Sequence, residues 1–91
     1  MKRVHVVVHG EVQGVGYRYT ARGVAGRLGV TGWIRNRWDG TVEAHVQGPA
    51  DRVAAMLAWM AEGPPGARVD GCRVTDIPVE NAEGFRVLQT A

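Results

Sequence analysis

From residue 3 to residue 9 the chain alternates, with Val4, Val6 and Val8 on one side and His5, Val7 and His9 on the other. That is the period of a half-buried strand. The period then changes. Tyr17, Ala21, Val24, Ala25 and Leu28 recur at helical spacing, and Gly29 supplies a stop. Gly23 and Gly26 weaken this helix by about 1 kcal/mol each relative to Ala, and their small size would let it lie close on a sheet. Val30 to Arg37 reads as a second strand, Trp38-Asp39-Gly40 as a hairpin turn, and Thr41 to Gln47 as a third strand with Val42, Ala44 and Val46 inward. Glu43 and His45 then face outward.

Gly48-Pro49 opens a second helix, with proline at the first helical position and Asp51 near the positive end of the dipole. Its stripe is Val53, Met56, Leu57 and Met60, and Trp59 lies off it, placed to cover an edge of the domain. Gly63-Pro64-Pro65-Gly66 ends the helix. A fourth strand over residues 67–77 breaks its own period, because Val69 has the opposite parity from Cys72 and Val74; a bulge near Asp70-Gly71 reconciles them. Pro78 to Ala82 loops out, and Glu83 to Gln89 forms a last strand with Phe85 and Val87 inward. The order is β-α-β-β-α-β, an α+β ferredoxin-like sandwich of residues 1–91 with two helices on one face of a mostly antiparallel sheet. The other face, with His5, Glu43 and His45, is expected to be more open.

Composition narrows the chemistry. Ninety-one residues make one domain, and a net charge of +2 gives no electrostatic footprint for nucleic acid. The single Cys72 rules out an internal disulfide and any cysteine-based metal cluster, and reads as a small, buried hydrophobe in a reducing cytoplasm. No apolar run approaches membrane-spanning length. The three histidines have no carboxylate or cysteine spaced to complete a metal site, so they read as exposed sheet residues.

The candidate chemistry lies between the first strand and the first helix, in Gly10-Glu11-Val12-Gln13-Gly14-Val15-Gly16-Tyr17-Arg18. Glycines let backbone N–H groups converge, a helix start leaves donors unpaired, and Arg18 adds a planar fork that matches phosphate. A small phosphate or carboxylate is the indicated ligand; a purely structural turn is the alternative. The Walker pattern is absent, since the only lysine is Lys2, and the third glycine of a dinucleotide fingerprint is missing.

These residues resemble the acylphosphatase family. Its first signature is a glycine, a hydrophobic-Gln-Gly-Val core, then an aromatic and an arginine, and it stands here as Gly10 to Arg18. The second appears as Gly32-Trp33-Ile34-Arg35-Asn36, Gly40-Thr41-Val42 and Gly48, with Ile34 where the family usually has a smaller apolar residue. The resemblance implies hydrolysis of acyl phosphates to a carboxylate and inorganic phosphate, without metal or cofactor. It implies that Arg18 binds the phosphoryl oxygens together with the backbone of Gln13, Gly14, Val15, Gly16 and Tyr17, and that Asn36 holds the attacking water. No protein residue is an evident general base in the family, and the substrate's own phosphate oxygen takes the water's proton. The expected partners are a small-molecule acyl phosphate and inorganic phosphate, as product and competitive inhibitor. Nucleic acid and membrane are not expected, and a cytoplasmic monomer is.

Two other readings compete. Ferredoxin-like sheets also serve as RNA-binding modules, and Tyr17-Arg18-Tyr19 mixes aromatic with basic groups, but the aromatic-glycine strand signature and a basic stripe are missing. Hydrogenase-maturation carbamoyl transferases carry a similar N-terminal domain; here no zinc-finger cysteines follow the last strand, which favours a standalone acylphosphatase.

Overall fold

The computed structural model describes residues 1–91. In chain order the elements are β1 (Lys2–Glu11), α1 (Tyr17–Leu28), β2 (Thr31–Asn36), β3 (Val42–Gly48), α2 (Ala50–Glu62), β4 (Arg68–Ile77) and β5 (Phe85–Val87). The strands form one sheet in the order β4-β1-β3-β2-β5. The first six elements give the expected β-α-β-β-α-β arrangement. The last strand is shorter than its sequence pattern and runs parallel to β2, pairing Gly32 with Phe85 and Ile34 with Val87. The other pairings are antiparallel.

Alternation decides which side is the core. Val4, Val6 and Val8 are fully buried and pair with Val46, Ala44 and Val42, which are fully buried too. Ile34 lies across from Ala44 on the same face. Tyr17, Ala21, Val24 and Ala25 of α1, with Val53, Met56 and Met60 of α2, close over this face, while Leu28 and Leu57 are half-buried at its margin. Each fully buried valine contributes about 1.5–3 kcal/mol, against about 0–1 for an exposed ion pair such as Lys2–Asp76. The valine ladder therefore dominates stability.

Several local expectations change. Gly23 and Gly26 are exposed rather than set against the sheet, and a Cβ at Gly26 would meet nothing within 4 Å. Pro49 is the residue before α2 rather than its first residue. The bulge is where parity demanded it: His9 pairs with Gly71 and Gly10 with Val69, leaving Asp70 as the extra residue.

The uncovered face is the larger correction. Only His9 of the three histidines is exposed. His5 and His45 are half-buried in a polar network, because they sit directly across from each other on β1 and β3. His5 Nε2 lies 2.7 Å from Glu43 Oε2, and Arg35 Nε donates to Glu43 Oε1 at 2.8 Å. Arg3 Nη2 donates to His45 Nδ1 at 3.0 Å, and the Trp33 ring packs on His45 at 4.3 Å. Because arginine only donates, His45 accepts at Nδ1 and is the neutral Nε2–H tautomer.

Burial, with the nearby Arg3 and His5, lowers the His45 pKa below its ordinary 6.5. Burial pushes Glu43 up, but hydrogen bonds from His5 and Arg35 outweigh it and hold the carboxyl below its ordinary 4.5. In both cases the unfolded chain binds the proton more readily, so stability is present at neutral pH and is lost on acidification. The loss begins near pH 6.5 for His45 and adds a second component below pH 4.5 for Glu43. Urea midpoints measured from pH 7.5 to 4 should fall in that order, and His45→Gln should flatten the upper part of the curve. A flat wild-type profile between pH 6.5 and 5 would remove His45 from this account.

Candidate active site

β1 runs into residues 12–16 and α1 begins at Tyr17. Gly14 and Gly16 adopt left-handed φ values of 75° and 77°. A side chain would meet nothing within 4 Å at Gly14, so backbone conformation rather than space explains the glycine. Beneath the turn, Val12 and Tyr17 are each 1% exposed, and the Tyr17 hydroxyl donates to Met60 O at 2.7 Å. Burial raises the Tyr17 pKa, so the hydroxyl stays protonated and keeps that bond.

With its side chains pinned below, the loop leaves its backbone free above. No protein acceptor takes the N–H groups of Gln13 to Tyr19; the first helical bond runs from Thr20 N to Gly16 O at 3.0 Å. The first turn of α1 has no acidic residue and its start has no side-chain cap. Unpaired donors and an uncompensated positive dipole end are the chemistry that an anion would pair with. Arg18, half-buried on this turn, is in no ion pair, and its guanidinium lies 5.6 Å from the Tyr19 ring centroid.

Asn36 ends β2 on the core-facing parity of Ile34. Val42 pairs with Asn36 on one side and Val8 on the other, so the end of β2 lies two strands from the end of β1. That separation is roughly 10 Å across the sheet. The Asn36 side-chain Oδ1 is buried and has no hydrogen-bond partner. Its backbone is tied down instead: Ala91 N donates to Asn36 O at 3.1 Å, and Trp38 N to Ala91 O at 3.0 Å.

Two features of the site escaped the sequence reading. Residues 88–91 extend the parallel edge beside β2, beginning with Leu88 N to Ile34 O at 2.9 Å, so the chain's last residues hold the backbone of Asn36. The Gln13 side chain turns away from the cradle: its Nε2 donates to Arg37 O at 2.8 Å and Thr41 O at 2.9 Å. It straps the glycine loop to the turn after Asn36. That turn is itself rigid, since Asp39 accepts from Thr41 N at 3.0 Å and Thr41 Oγ1 at 2.6 Å. These bonds from Thr41 hold the Asp39 carboxyl below its usual range. Of the expected binding residues, then, Gln13, Gly14, Val15, Gly16 and Tyr17 have backbone N–H groups without a protein acceptor, and the Arg18 guanidinium has no ion-pair partner.

Other reactive groups lie elsewhere. His5 and His45 belong to the opposite face of the sheet. Cys72 is half-buried on β4 against the core, with burial pushing its thiol up.

Residues 4–87 match the acylphosphatase family model. The chain belongs to the acylphosphatase family. A curated acylphosphatase from Acidovorax sp. is 50% identical over 86 residues, covering 94% of this chain and 89% of that one. The acylphosphatase of Thermococcus kodakarensis is 48% identical over 90 residues, covering 97% and 99%. The crystal structure of acylphosphatase from Bacillus subtilis superimposes with a TM-score of 0.94 at 31% identity, covering 97% of this chain and 99% of that one. The first acylphosphatase signature lies on the loop into α1; the second runs along β2 and β3, with Asn36 and Gly40 at the end of the sheet near that loop and Gly32 and Gly48 at the opposite end. Ile34, the departure from the second signature, is fully buried opposite Ala44 and belongs to the core.

The strap can be tested directly. Gln13→Met keeps the length and removes both hydrogen bonds, and should cost about 1–3 kcal/mol, at about 0.5–1.5 per bond, while Arg37 O keeps Gly40 N and Thr41 O keeps Arg37 N. For a domain this small, each kcal/mol lowers Tm by about 4–8 °C. Gln13→Glu, nearly isosteric but facing two carbonyl oxygens, should cost more. Equal thermal stability of wild type and Gln13→Glu would show that the strap carries no energy.

Proposed function

We propose that the chain hydrolyses acyl phosphates by holding the phosphoryl group on the free N–H groups of residues 13–18 and the Arg18 fork, with the attacking water on the Asn36 amide. One observation carries the reading: unpaired backbone donors, an unpaired guanidinium and the unpaired, buried side-chain oxygen of Asn36 lie on two segments that Gln13 straps together. Buried polar atoms ordinarily find partners, so the Asn36 carbonyl oxygen points to a donor such as water. Membership of the acylphosphatase family supports the reaction class.

The chemistry is positioning and charge stabilisation. Water bonds to phosphorus as the bond from phosphorus to the acyl oxygen breaks, and the carboxylate leaves with that bonding pair. The water's proton passes to a non-bridging phosphoryl oxygen, giving inorganic phosphate. A carboxylate is a good leaving group, so neither a general acid nor a Lewis acid is required of the protein. Convergent N–H dipoles and the guanidinium stabilise charge on the phosphoryl oxygens, and Asn36 keeps water in line. Inorganic phosphate competes for the same cradle. One chain supplies every group invoked, consistent with a monomer, and the free Cys72 is consistent with the cytoplasm. No helix is long and apolar enough to cross a membrane.

Kinetics separate the two roles. Arg18→Lys keeps the charge but loses the two-point contact, and should raise KM, lower kcat and weaken phosphate inhibition together. Asn36→Ala should leave KM and phosphate affinity nearly unchanged while kcat falls on the order of 10²-fold, the cost of a misplaced nucleophile. Turnover of benzoyl phosphate in EDTA should equal that without it. If folded Asn36→Ala kept its kcat and lost phosphate affinity, Asn36 would be a binding residue and the water assignment would fall.

A further inference from the structure

At the other end of the sheet, on the face without helices, is a cavity of about 270 Å³ lined by Arg3, Trp33, Glu80, Glu83, Arg86 and Leu88 among others. Eight residue-to-residue steps along extended β1 lead from Arg3 to Glu11, roughly 26 Å. The cavity is thus distinct from the cradle in both face and position.

Its floor is a buried cation. Arg3 is 2% exposed, and its Nε is buried without a hydrogen-bond partner. Nη1 donates to Gln47 Oε1 at 3.3 Å and Nη2 to His45 Nδ1 at 3.0 Å, and both acceptors are neutral. The counter-charge is Glu80 Oε1, 3.3 Å from Nη2, on a side chain that is 64% exposed. Buried charges are ordinarily paired closely, with their remaining donors satisfied. Here the negative partner is loosely held and open to solvent.

The wall that carries Glu80 does not depend on its carboxylate. Glu80 N donates to Gln47 Oε1 at 3.1 Å, and Gln47 Nε2 donates to Glu80 O at 2.7 Å. Because the backbone is held by both ends of one amide, the side chain can swing away without opening the cavity. Trp33 and Leu88 supply apolar surface, and Arg86 brings a second cation to the lining. Glu83 opposes it with a second carboxylate. With Glu80 displaced, Arg3 and Arg86 exceed Glu83 by one positive charge, which favours a monoanion over a phosphate dianion.

We propose that this cavity binds a small monocarboxylate bearing an apolar ring, its carboxylate replacing that of Glu80 at Arg3 and its ring lying against Trp33 and Leu88. Glu80 is then an internal stand-in for the ligand. The site acts independently of the phosphate cradle.

Benzoate is the probe, followed by ¹H–¹⁵N NMR on the full chain with the cradle saturated by inorganic phosphate. The Arg3 Nε–H, the Trp33 indole N–H and the amides of residues 80–83 should shift together and saturate. Glu80→Gln keeps both backbone bonds and removes the competitor, so it should tighten benzoate by up to about fivefold, the scale of one exposed ion pair. Arg86→Ala should weaken it by a similar factor. Arg86 is exposed, so its substitution leaves the fold alone; Glu80→Gln removes the counter-charge of buried Arg3, so its binding is read alongside a circular dichroism spectrum that matches wild type. Shifts confined to residues 13–18 and 36, shifts that never saturate, or a Glu80→Gln protein that binds benzoate no better than wild type would each overturn the proposal.

Discussion

Everything in this structure leans on one requirement, that peptide N–H groups find acceptors. The sheet and both helices satisfy it for much of the chain, and Gln13 to Tyr19 form a continuous stretch without protein acceptors at one end. That stretch is held from several sides. Val12 and Tyr17 bury the underside, left-handed glycines at 14 and 16 turn the backbone, and Gln13 straps the loop to the next turn. A loop free to move would recover its hydrogen bonds from water or from itself. One that cannot presents the same donors to every anion that arrives, which is preorganisation in the useful sense.

The sheet keeps two chemistries apart by parity alone. Even-numbered residues of β1 build the valine ladder under the helices, and Asn36 inherits that face at the end of β2. Odd-numbered residues carry Arg3 and His5 to the other face, where Glu43, His45 and Gln47 receive them. Core-facing positions so end β2 on the buried, unpaired Oδ1 of Asn36, while solvent-facing positions build an ion network on the opposite face.

Much of this was legible because it follows from period and from residue type. Alternation placed the valine ladder, mismatched parity at Val69 located the bulge at Asp70, and Gly14 and Gly16 marked the left-handed turn into α1. What stayed hidden depends on where side chains and distant backbone meet. Nothing local says that Gln13 reaches the carbonyls of Arg37 and Thr41, or that Ala91 brackets Asn36. His45 looked solvated because alternation tells which face a residue occupies but not who stands opposite; Arg3 and Trp33 close over it. Gly23 and Gly26 suggested close packing, yet the helix turns them to water and buries Ala21 and Ala25 instead.

The central claim is that one preformed cradle receives the phosphoryl group while Asn36 holds the nucleophile. A crystal structure with orthovanadate, whose trigonal-bipyramidal form mimics phosphoryl transfer, tests it most directly. The account predicts equatorial oxygens on the N–H groups of residues 14–18 and on the Arg18 guanidinium, an apical oxygen within hydrogen-bond distance of the Asn36 amide, and a loop unmoved from its free conformation. Vanadate bound away from residues 13–18, or bound there with its apical oxygens out of reach of Asn36, would contradict it.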